Sequence, residues 1–247
     1  MGDHGKSAKR AIRHTVVGIL LLGTSSVAFA QGLTVLPVTI HMSPGQQAAV
    51  LTLENHEAAE VSFQIRPFVW TEQSGEEKLD PTDQILASPP LGTVAPGSAQ
   101  LVRIVVRRPP KDIEGSFRIL LDQIPPAAAP GTVRVALRLS IPIFVEPQAR
   151  IAPHLEWRVE RADGKTYLAV TNTGTRHETI RDVSVKTAAG VPVKVETRVF
   201  PYVLSSATRR WRIESTGVAL ANGEVLNMKA TADTGNFEQS VSVVGAP

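Results

Sequence analysis

The chain has 247 residues, with 26 lysines and arginines, 23 aspartates and glutamates, and no cysteine. The lack of cysteine excludes disulfide bonds and thiol catalysis. The first 30 residues hold four of the basic residues and one of the acids, which leaves 22 basic and 22 acidic residues in the rest of the chain. This balance argues against nucleic-acid binding, because such proteins present a strongly basic surface.

The amino terminus has the three-part layout of a secretory signal peptide. Basic residues come first, an apolar run follows from Val16 to Leu22, and small residues lead up to Ala30. This order predicts a signal peptide over residues 1–30, with cleavage after Ala30 and export of the remainder. The apolar run is too short to span a bilayer as a stable helix. The exported chain is long enough for two domains of about 100 residues each.

Short segments of alternating apolar and polar residues recur after the leader, and no window shows a helical apolar stripe. In the first half they predict strands at 33–42, 48–53, 61–70, 85, 100–107, 116–123 and 133–143. Pro37 marks the first strand as an edge or a bulge, Pro67 interrupts the third, and the polar stretch 72–83 is typical of a turn-rich loop. Seven strands in about 115 residues is the size of one immunoglobulin-like β-sandwich.

The second half repeats this pattern. It predicts strands at 155–159, 168–171, 180–185, 191–199, 207–213, 224–230 and 237–243. Two prolines interrupt the alternation between 146 and 153, which predicts domains over 31–147 and 148–247. "VLTLENHEAAEVSFQI" also echoes "YLAVTNTGTRHETIRDVSV", and "VAPGSAQLVRI" echoes "VLSSATRRWRI". Two related sandwiches in tandem would produce these echoes, and so would chance convergence of short strands and turns.

One predicted strand has an unusual composition. Its odd positions are all aliphatic, namely Val133, Val135, Leu137, Leu139, Ile141 and Ile143. Pro142 has no N–H to donate, so the strand should lie at a sheet edge, at least locally. The aliphatic row then has two interpretations. It can fill the core of its own sandwich, or it can be offered to a partner by strand addition.

No catalytic constellation is present in the exported part of the sequence. Its histidines, His41, His56, His154 and His177, do not lie at a metal-ligand spacing from one another or from acidic residues. His56 and His177 lie in turn-rich stretches, where an exposed imidazole is expected. The acidic cluster Glu72, Glu76, Glu77 and Asp80 and the triplet Arg176-His177-Glu178 are expected to be solvated loops. We therefore predict a protein that is not an enzyme and that has no metal and no cofactor.

Several landmarks occur together in a characteristic order. "LTLEN", "ASPP" and "VAPGSAQLVRI" precede Ile124-Pro125-Pro126, and the alternating strand ends in Ile143-Phe144-x-x-Pro147. In this the exported chain resembles the periplasmic chaperones that assemble pili by the chaperone–usher route. The resemblance covers the whole exported chain and is strongest over 33–147. In the second half, "VTNTGTRH" and "YVLSSATRRW" resemble a divergent branch found with spore-coat-U-type subunits.

This resemblance implies an all-β fold of two tandem immunoglobulin-like domains arranged as an L. It implies a periplasmic chaperone that holds a pilin lacking its last strand, fills the gap with its own G strand, and passes the pilin to an outer-membrane usher. The donated side chains would be Val133, Val135, Leu137, Leu139 and Ile141. No nucleotide, metal or nucleic acid is implied. Self-association of the free protein is an alternative way of covering the exposed edge.

One departure from the family concerns the clamp for the pilin carboxylate. Better-known members use an arginine on the first strand and a lysine on the G strand, and these positions correspond here to Thr39 and Pro142. A carboxylate at the domain junction still needs a cation with hydrogen-bond donors. Arg118 is the candidate, because its neighbours Phe117, Ile119 and Leu121 can fill the core while Arg118 points away. A solvated Arg118 is the alternative, and Arg103 and Lys111 are weaker candidates.

A second function belongs to a different class. A structural or adhesive surface protein built from two immunoglobulin-like domains would bury the aliphatic face of 133–143 in its own core and would need no usher. A hydrolase on a β-sandwich would need a catalytic constellation, which the sequence does not contain.

Overall fold

The structure, a computed structural model, describes residues 2, 32–73, 75–127, 131, 133, 135–196, 201–214 and 220–244. These residues form 18 strands and no helix, which confirms the predicted all-β class. None of them therefore forms a helix with the length and hydropathy needed to cross a bilayer. The predicted signal peptide, apart from position 2, lies outside the described residues.

Ten strands build a first sandwich. They are β1 (Leu33–Leu36), β2 (Ile40–Met42), β3 (Ala48–Asn55), β4 (Val61–Gln73), β5 (Glu76–Pro81), β6 (Ile85–Ser88), β7 (Leu91–Val94), β8 (Ala99–Val106), β9 (Gly115–Ile124) and β10 (Arg138–Val145). One sheet has the order β1-β3-β8-β6, and the other has the order β2-β10-β9-β4-β5 with β7 on β4. Alternate side chains of both sheets, such as Leu51 and Ile119, form one buried apolar cluster.

The predicted first strand is divided between the two sheets at Pro37. β1 pairs antiparallel with β3 in the four-stranded sheet, whereas β2 pairs parallel with β10 in the other sheet. Pro37 lies between them, where it has no ladder bond to make. The expected edge or bulge is therefore a crossing from one sheet to the other.

Two predictions for residues 61–83 were wrong. β4 runs through Pro67 without a break, and Pro67 is paired with Ile119 of β9. The stretch expected to be a loop contains β5, which forms a long hairpin with β4. β5 is an edge strand that pairs only with β4, and most of its polar side chains are exposed. Its composition therefore resembles that of a loop.

Eight strands build a second sandwich. They are β11 (Leu155–Ala162), β12 (Lys165–Asn172), β13 (Glu178–Thr187), β14 (Pro192–Val193), β15 (Tyr202–Val203), β16 (Thr208–Ile213), β17 (Val225–Ala232) and β18 (Gly235–Val244). They follow the order β14-β13-β17-β18-β11-β12-β16, with β15 on β13. Their inward side chains form a second apolar cluster that includes Trp157, Trp211 and Met228. Strands of the two sandwiches are separated by 146–154, and the domain boundary at 147/148 stays a prediction.

The internal echo has a structural counterpart in an asparagine at the end of one strand in each sandwich. The Asn55 side-chain amide donates to the carbonyls of Ala59 and Val94, at 2.8 and 2.9 Å. The Asn172 amide donates in the same way to the carbonyls of Arg176 and Val203, at 2.7 and 3.1 Å. The two segments are thus equivalent in three dimensions, which favours related sandwiches over chance similarity.

Candidate partner-binding site

The segment that leads into β10 is the most exposed apolar stretch of the first sandwich. Val133 is 93% exposed and Val135 is 88% exposed. Leu137 is half-buried, and its carbonyl accepts a hydrogen bond of 2.8 Å from the Gln123 amide. The strand predicted to begin at 133 therefore begins at Arg138, and the described residues before it keep an aliphatic row in solvent.

A charged cluster holds the first residue of β10. Arg138 and Arg66 both donate to the Asp122 carboxylate, Arg66 at 2.7 Å. Burial alone would raise the pKa of Asp122, but these hydrogen bonds outweigh it and lower the pKa below its ordinary value. The cluster thus marks the point where the exposed segment joins the sheet.

The first part of β10 has an open edge. β9 pairs with all of β10, whereas β2 pairs only with Ile143–Val145. The bond from Gln123 to Leu137 makes the odd residues of β10 the hydrogen-bonded pairs, so the nitrogen of Pro142 points away from β9. The prediction that Pro142 lies at a local edge is confirmed.

The odd positions of the row divide into two groups. Ile141 and Ile143 are 3% and 0% exposed and belong to the core of the first sandwich. Leu139 is half-buried and packs against that core. Ile141 was expected among the donated residues, but its burial leaves it unavailable to a partner. The exposed row ends where the two sheets of the sandwich close over it.

Arg118 lies on the outer face of the same sheet, beside β10. Its guanidinium donates to Glu77 at 2.9 Å and to Ser140 of β10 at 3.2 Å, and it stacks 3.8 Å from the ring centre of Trp70. Phe117, Ile119 and Leu121 fill the core, which confirms that Arg118 points away from it. Arg118 is only 3% exposed, so the alternative of a solvated side chain is wrong. Burial lowers its pKa, and Glu77 opposes that shift.

A second arginine reaches this site from the other sandwich. Arg209 of β16 lies 3.4 Å from Glu72 and 3.8 Å from Glu77, which are paired opposite each other on β4 and β5. The Glu72 side chain is fully buried, and burial raises its pKa against the attraction of Arg209. The expectation of a solvated acidic loop was therefore wrong for Glu72 and Glu77. The arginine that neutralises them comes from a distant part of the sequence.

The other cation candidates lie elsewhere. Arg103 is exposed on β8, in the sheet that does not contain β10, and Lys111 is exposed between β8 and β9. Thr39 is half-buried just before β2, and Pro142 is paired with Arg118. Among the predicted cations, Arg118 is thus the one that lies against β10.

The prediction that His177 is exposed was wrong. It is 6% exposed and stacks on Phe144 with ring centres 3.5 Å apart. Its Nδ1 lies 2.6 Å from a carboxylate oxygen of Glu114, which belongs to the first sandwich and is also buried. Neighbouring Glu178 is buried as well, so the triplet is not a solvated loop. Sequence reasoning missed this pair because its members are 63 residues apart.

Apolar side chains complete the junction between the sandwiches. Trp70 and Phe144 of the first sandwich form one buried cluster with Leu204 and Ala207 of the second. The Tyr202 ring meets Trp70 edge-on, with centres 5.5 Å apart. This packing places Arg209 beside Glu72 and Glu77. Within the described ranges, no His, Asp and Glu cluster is suited to hold a metal ion.

The fold is shared with chains of solved chaperone complexes. The CsuC–CsuE chaperone–tip adhesion subunit pre-assembly complex of Acinetobacter baumannii contains a chain that superposes with a TM-score of 0.66 at 18% identity, over 87% of this chain and 100% of that chain. The complex of Salmonella enterica SafA pilin with the SafB chaperone contains a chain that matches with a TM-score of 0.57 at 18% identity, over 87% of this chain and 96% of that one.

Sequence comparison relates the first sandwich to a protein family. The family model described as "Pili and flagellar-assembly chaperone, PapD N-terminal domain" matches residues 32–150. Chaperone protein PapD of Escherichia coli is 30% identical over 95 residues, which are 36% of this chain and 39% of PapD. The matched region thus spans about two-fifths of the length of that curated relative. Over these residues, the chain matches the family of pilus-assembly chaperones.

Proposed function

We propose that this protein is a periplasmic chaperone that binds incomplete pilus subunits by adding a strand to them. The observation that carries the proposal is the exposed aliphatic row at Val133 and Val135, which leads directly into the open edge of β10. Leu137 and Leu139 continue this row with part of their surface. A subunit strand could pair with the edge while its groove takes up the row.

The free energy of binding requires both the burial of the aliphatic side chains and the main-chain hydrogen bonds along the edge. Four aliphatic side chains that become fully buried contribute roughly 6–12 kcal/mol, whereas association costs about 4–15 kcal/mol. Since Leu137 and Leu139 are already half-buried, their gain is smaller than this figure. Main-chain hydrogen bonds along the edge and completion of the subunit's own core would supply the remainder.

The proposed anchor for the subunit's terminal carboxylate is Arg118. It contacts Ser140, so its guanidinium lies beside the open part of β10. A subunit strand that runs along this edge would bring its last residue close to the guanidinium, which can accept a carboxylate with two hydrogen bonds. This position would take over the role of the clamp that Thr39 and Pro142 cannot provide.

The proposal includes export and delivery. The predicted signal peptide over 1–30 would take the chain to the periplasm, and the subunit would pass from the chaperone to an outer-membrane usher. The role is stoichiometric binding without catalysis and without a cofactor. The alternative of a structural or adhesive protein is disfavoured, because that protein would bury Val133 and Val135 in its own core.

Co-expression with a pilus subunit encoded at the same locus tests the proposal. The periplasmic yield of the subunit should depend on the chaperone, and Val135→Arg or Leu137→Arg should abolish its capture. Val135→Arg cannot disturb the fold through packing, because Val135 is 88% exposed. Leu101→Arg, at a 60% exposed position on the other sheet, is the matched control and should capture normally. Subunit yield that ignores the chaperone, or capture that survives both variants, contradicts the proposal.

The anchor has its own test. Arg118→Ala should weaken capture of a subunit with its natural C-terminus more than capture of the same subunit extended by Gly-Ser. The extension moves the carboxylate away from Arg118 and leaves the strand contacts in place. Equal losses with both subunits would remove Arg118 from this role.

A further inference from the structure

The Arg118 site already contains a carboxylate. Glu77 accepts a hydrogen bond from Arg118 at 2.9 Å and is the more exposed partner, with 21% of its side chain in solvent against 3% for Arg118. Trp70 covers the flat face of the guanidinium, and Ser140 accepts from another of its nitrogens. A ligand that approaches Arg118 from solvent therefore meets Glu77 first.

A buried guanidinium needs such a counter-ion. An arginine enclosed by protein and left without a negative partner strongly destabilises the fold, because its charge has lost its water shell. In the free protein, Glu77 supplies the charge that Arg118 requires. The same carboxylate would compete with any other carboxylate for the guanidinium, because both ligands use the same donors.

Glu77 also has a second cation within reach. Arg209 lies 3.8 Å from the same oxygen of Glu77 that accepts from Arg118. The same nitrogen of Arg209 lies 3.4 Å from an oxygen of the fully buried Glu72. Two carboxylates and two guanidinium groups thus alternate in one cluster. A small movement of Glu77 would transfer it from Arg118 to Arg209, and an incoming carboxylate would then take its place on Arg118.

We propose that Glu77 is a resident substitute for the subunit's C-terminal carboxylate. When a subunit binds, its carboxylate replaces Glu77 on Arg118, and Glu77 moves to Arg209. This inference rests on the proposed function of Arg118 as the anchor. It makes Glu77 a residue that sets affinity, because the subunit carboxylate must displace it, and it makes Arg209 the group that receives it.

A competition experiment tests the exchange. Equal amounts of wild-type chaperone and Glu77→Gln compete for a limiting amount of the subunit encoded at the same locus, and mass spectrometry gives their ratio in the complex. Glu77→Gln should be favoured by about ten-fold, the low end of the value of one charge-assisted hydrogen bond. With the Gly-Ser-extended subunit, the two chaperones should compete equally. Glu76→Gln, an exposed acid on the same strand, is the matched control and should equal wild type.

The outcomes separate this inference from the proposed function. If Glu77→Gln binds the subunit no better than wild type while Arg118→Ala still distinguishes the two subunits, the proposed exchange of carboxylates is wrong and the role of Arg118 as anchor stands. If Arg118→Ala does not distinguish them, both are wrong. Glu77→Asp keeps the negative charge but shortens its reach towards Arg118, so it should also be favoured over wild type, which keeps the test decisive if Glu77→Gln folds poorly.

Discussion

One turn occurs in both sandwiches with the same hydrogen bonds but opposite surroundings. In the first sandwich, the Gly97 amide donates to the Asn55 carbonyl, and the turn is exposed to solvent. In the second, the Ser206 amide donates to the Asn172 carbonyl, and the turn packs against the other sandwich. The backbone is thus a shared feature of the fold, whereas the junction between the sandwiches is a property of one copy.

Side-chain replacements on this turn explain the difference. Exposed Ala95 in the first turn corresponds to Leu204 in the second, which is 3% exposed against Trp70. Gln100, whose side chain donates to the neighbouring Leu101 carbonyl, corresponds to Arg209, which lies beside the acids of the junction. The turn of the second sandwich therefore forms an interface because it carries one apolar side chain and one charge that the turn of the first sandwich lacks.

Removing the apolar contact should have the largest effect. Leu204→Ala deletes a buried side chain and should lower the free energy of unfolding by about 3 kcal/mol. Urea unfolding followed by tryptophan fluorescence measures this, since Trp70 lies in the same cluster. Leu101→Ala, at a 60% exposed position, should change stability by less than about 0.5 kcal/mol. Equal effects of the two substitutions would show that Leu204 does not stabilise the junction.

Replacing either asparagine should lower the free energy of unfolding by a similar amount, but only one of the two replacements should affect the junction. Asn55→Ala and Asn172→Ala each remove two donated hydrogen bonds and leave buried carbonyls without partners, so each should lower the free energy of unfolding by about 2 kcal/mol. Only Asn172→Ala should also alter the native fluorescence of Trp70, because its turn carries Leu204. A comparable fluorescence change with Asn55→Ala would contradict the distinction between the turns.

The smallest effect concerns the backbone of the two turns. Gly97 has a φ of +64° and Ser206 a φ of +60°, both in the left-handed region. Gly97→Ala has open space for its Cβ, so only the left-handed φ should disfavour it. The free energy of unfolding should therefore fall by about 1 kcal/mol. Ser206→Gly relieves a similar strain but loses roughly as much in conformational entropy, so its stability should stay near wild type. Thermal unfolding of both variants compares them, and a large loss in Ser206→Gly would mean that its side chain matters beyond φ.

Much of the fold could be predicted from local patterns. Strand alternation and turn residues indicated two sandwiches, and the lack of an N–H on Pro142 indicated a local edge. The hairpin of β4 and β5 could not be predicted, because a strand with one exposed edge carries as many polar side chains as a loop. The row from 133 to 143 could not be divided at Leu139 by pattern alone, since its aliphatic period is the same in solvent and in the core.

The candidate site was predictable in part. Alternation placed Arg118 on the outer face of its strand, but its partners come from β5, β10 and, through Arg209, the second sandwich. His177 and Glu114 were missed for the same reason, because each has polar neighbours in the sequence, a context that is typical of exposed side chains. Pairs that are distant along the chain leave no local signal.

The all-β class, the tandem sandwiches and the aliphatic row could be predicted from the residues alone, because they follow from hydrogen-bonding capacity and a two-residue period. Only the packed molecule shows which part of the row is buried, which turn forms the junction, and which carboxylate pairs with Arg118. Those features depend on which surfaces meet when the two sandwiches pack, and burial then determines whether a charged side chain is solvated or must find a partner.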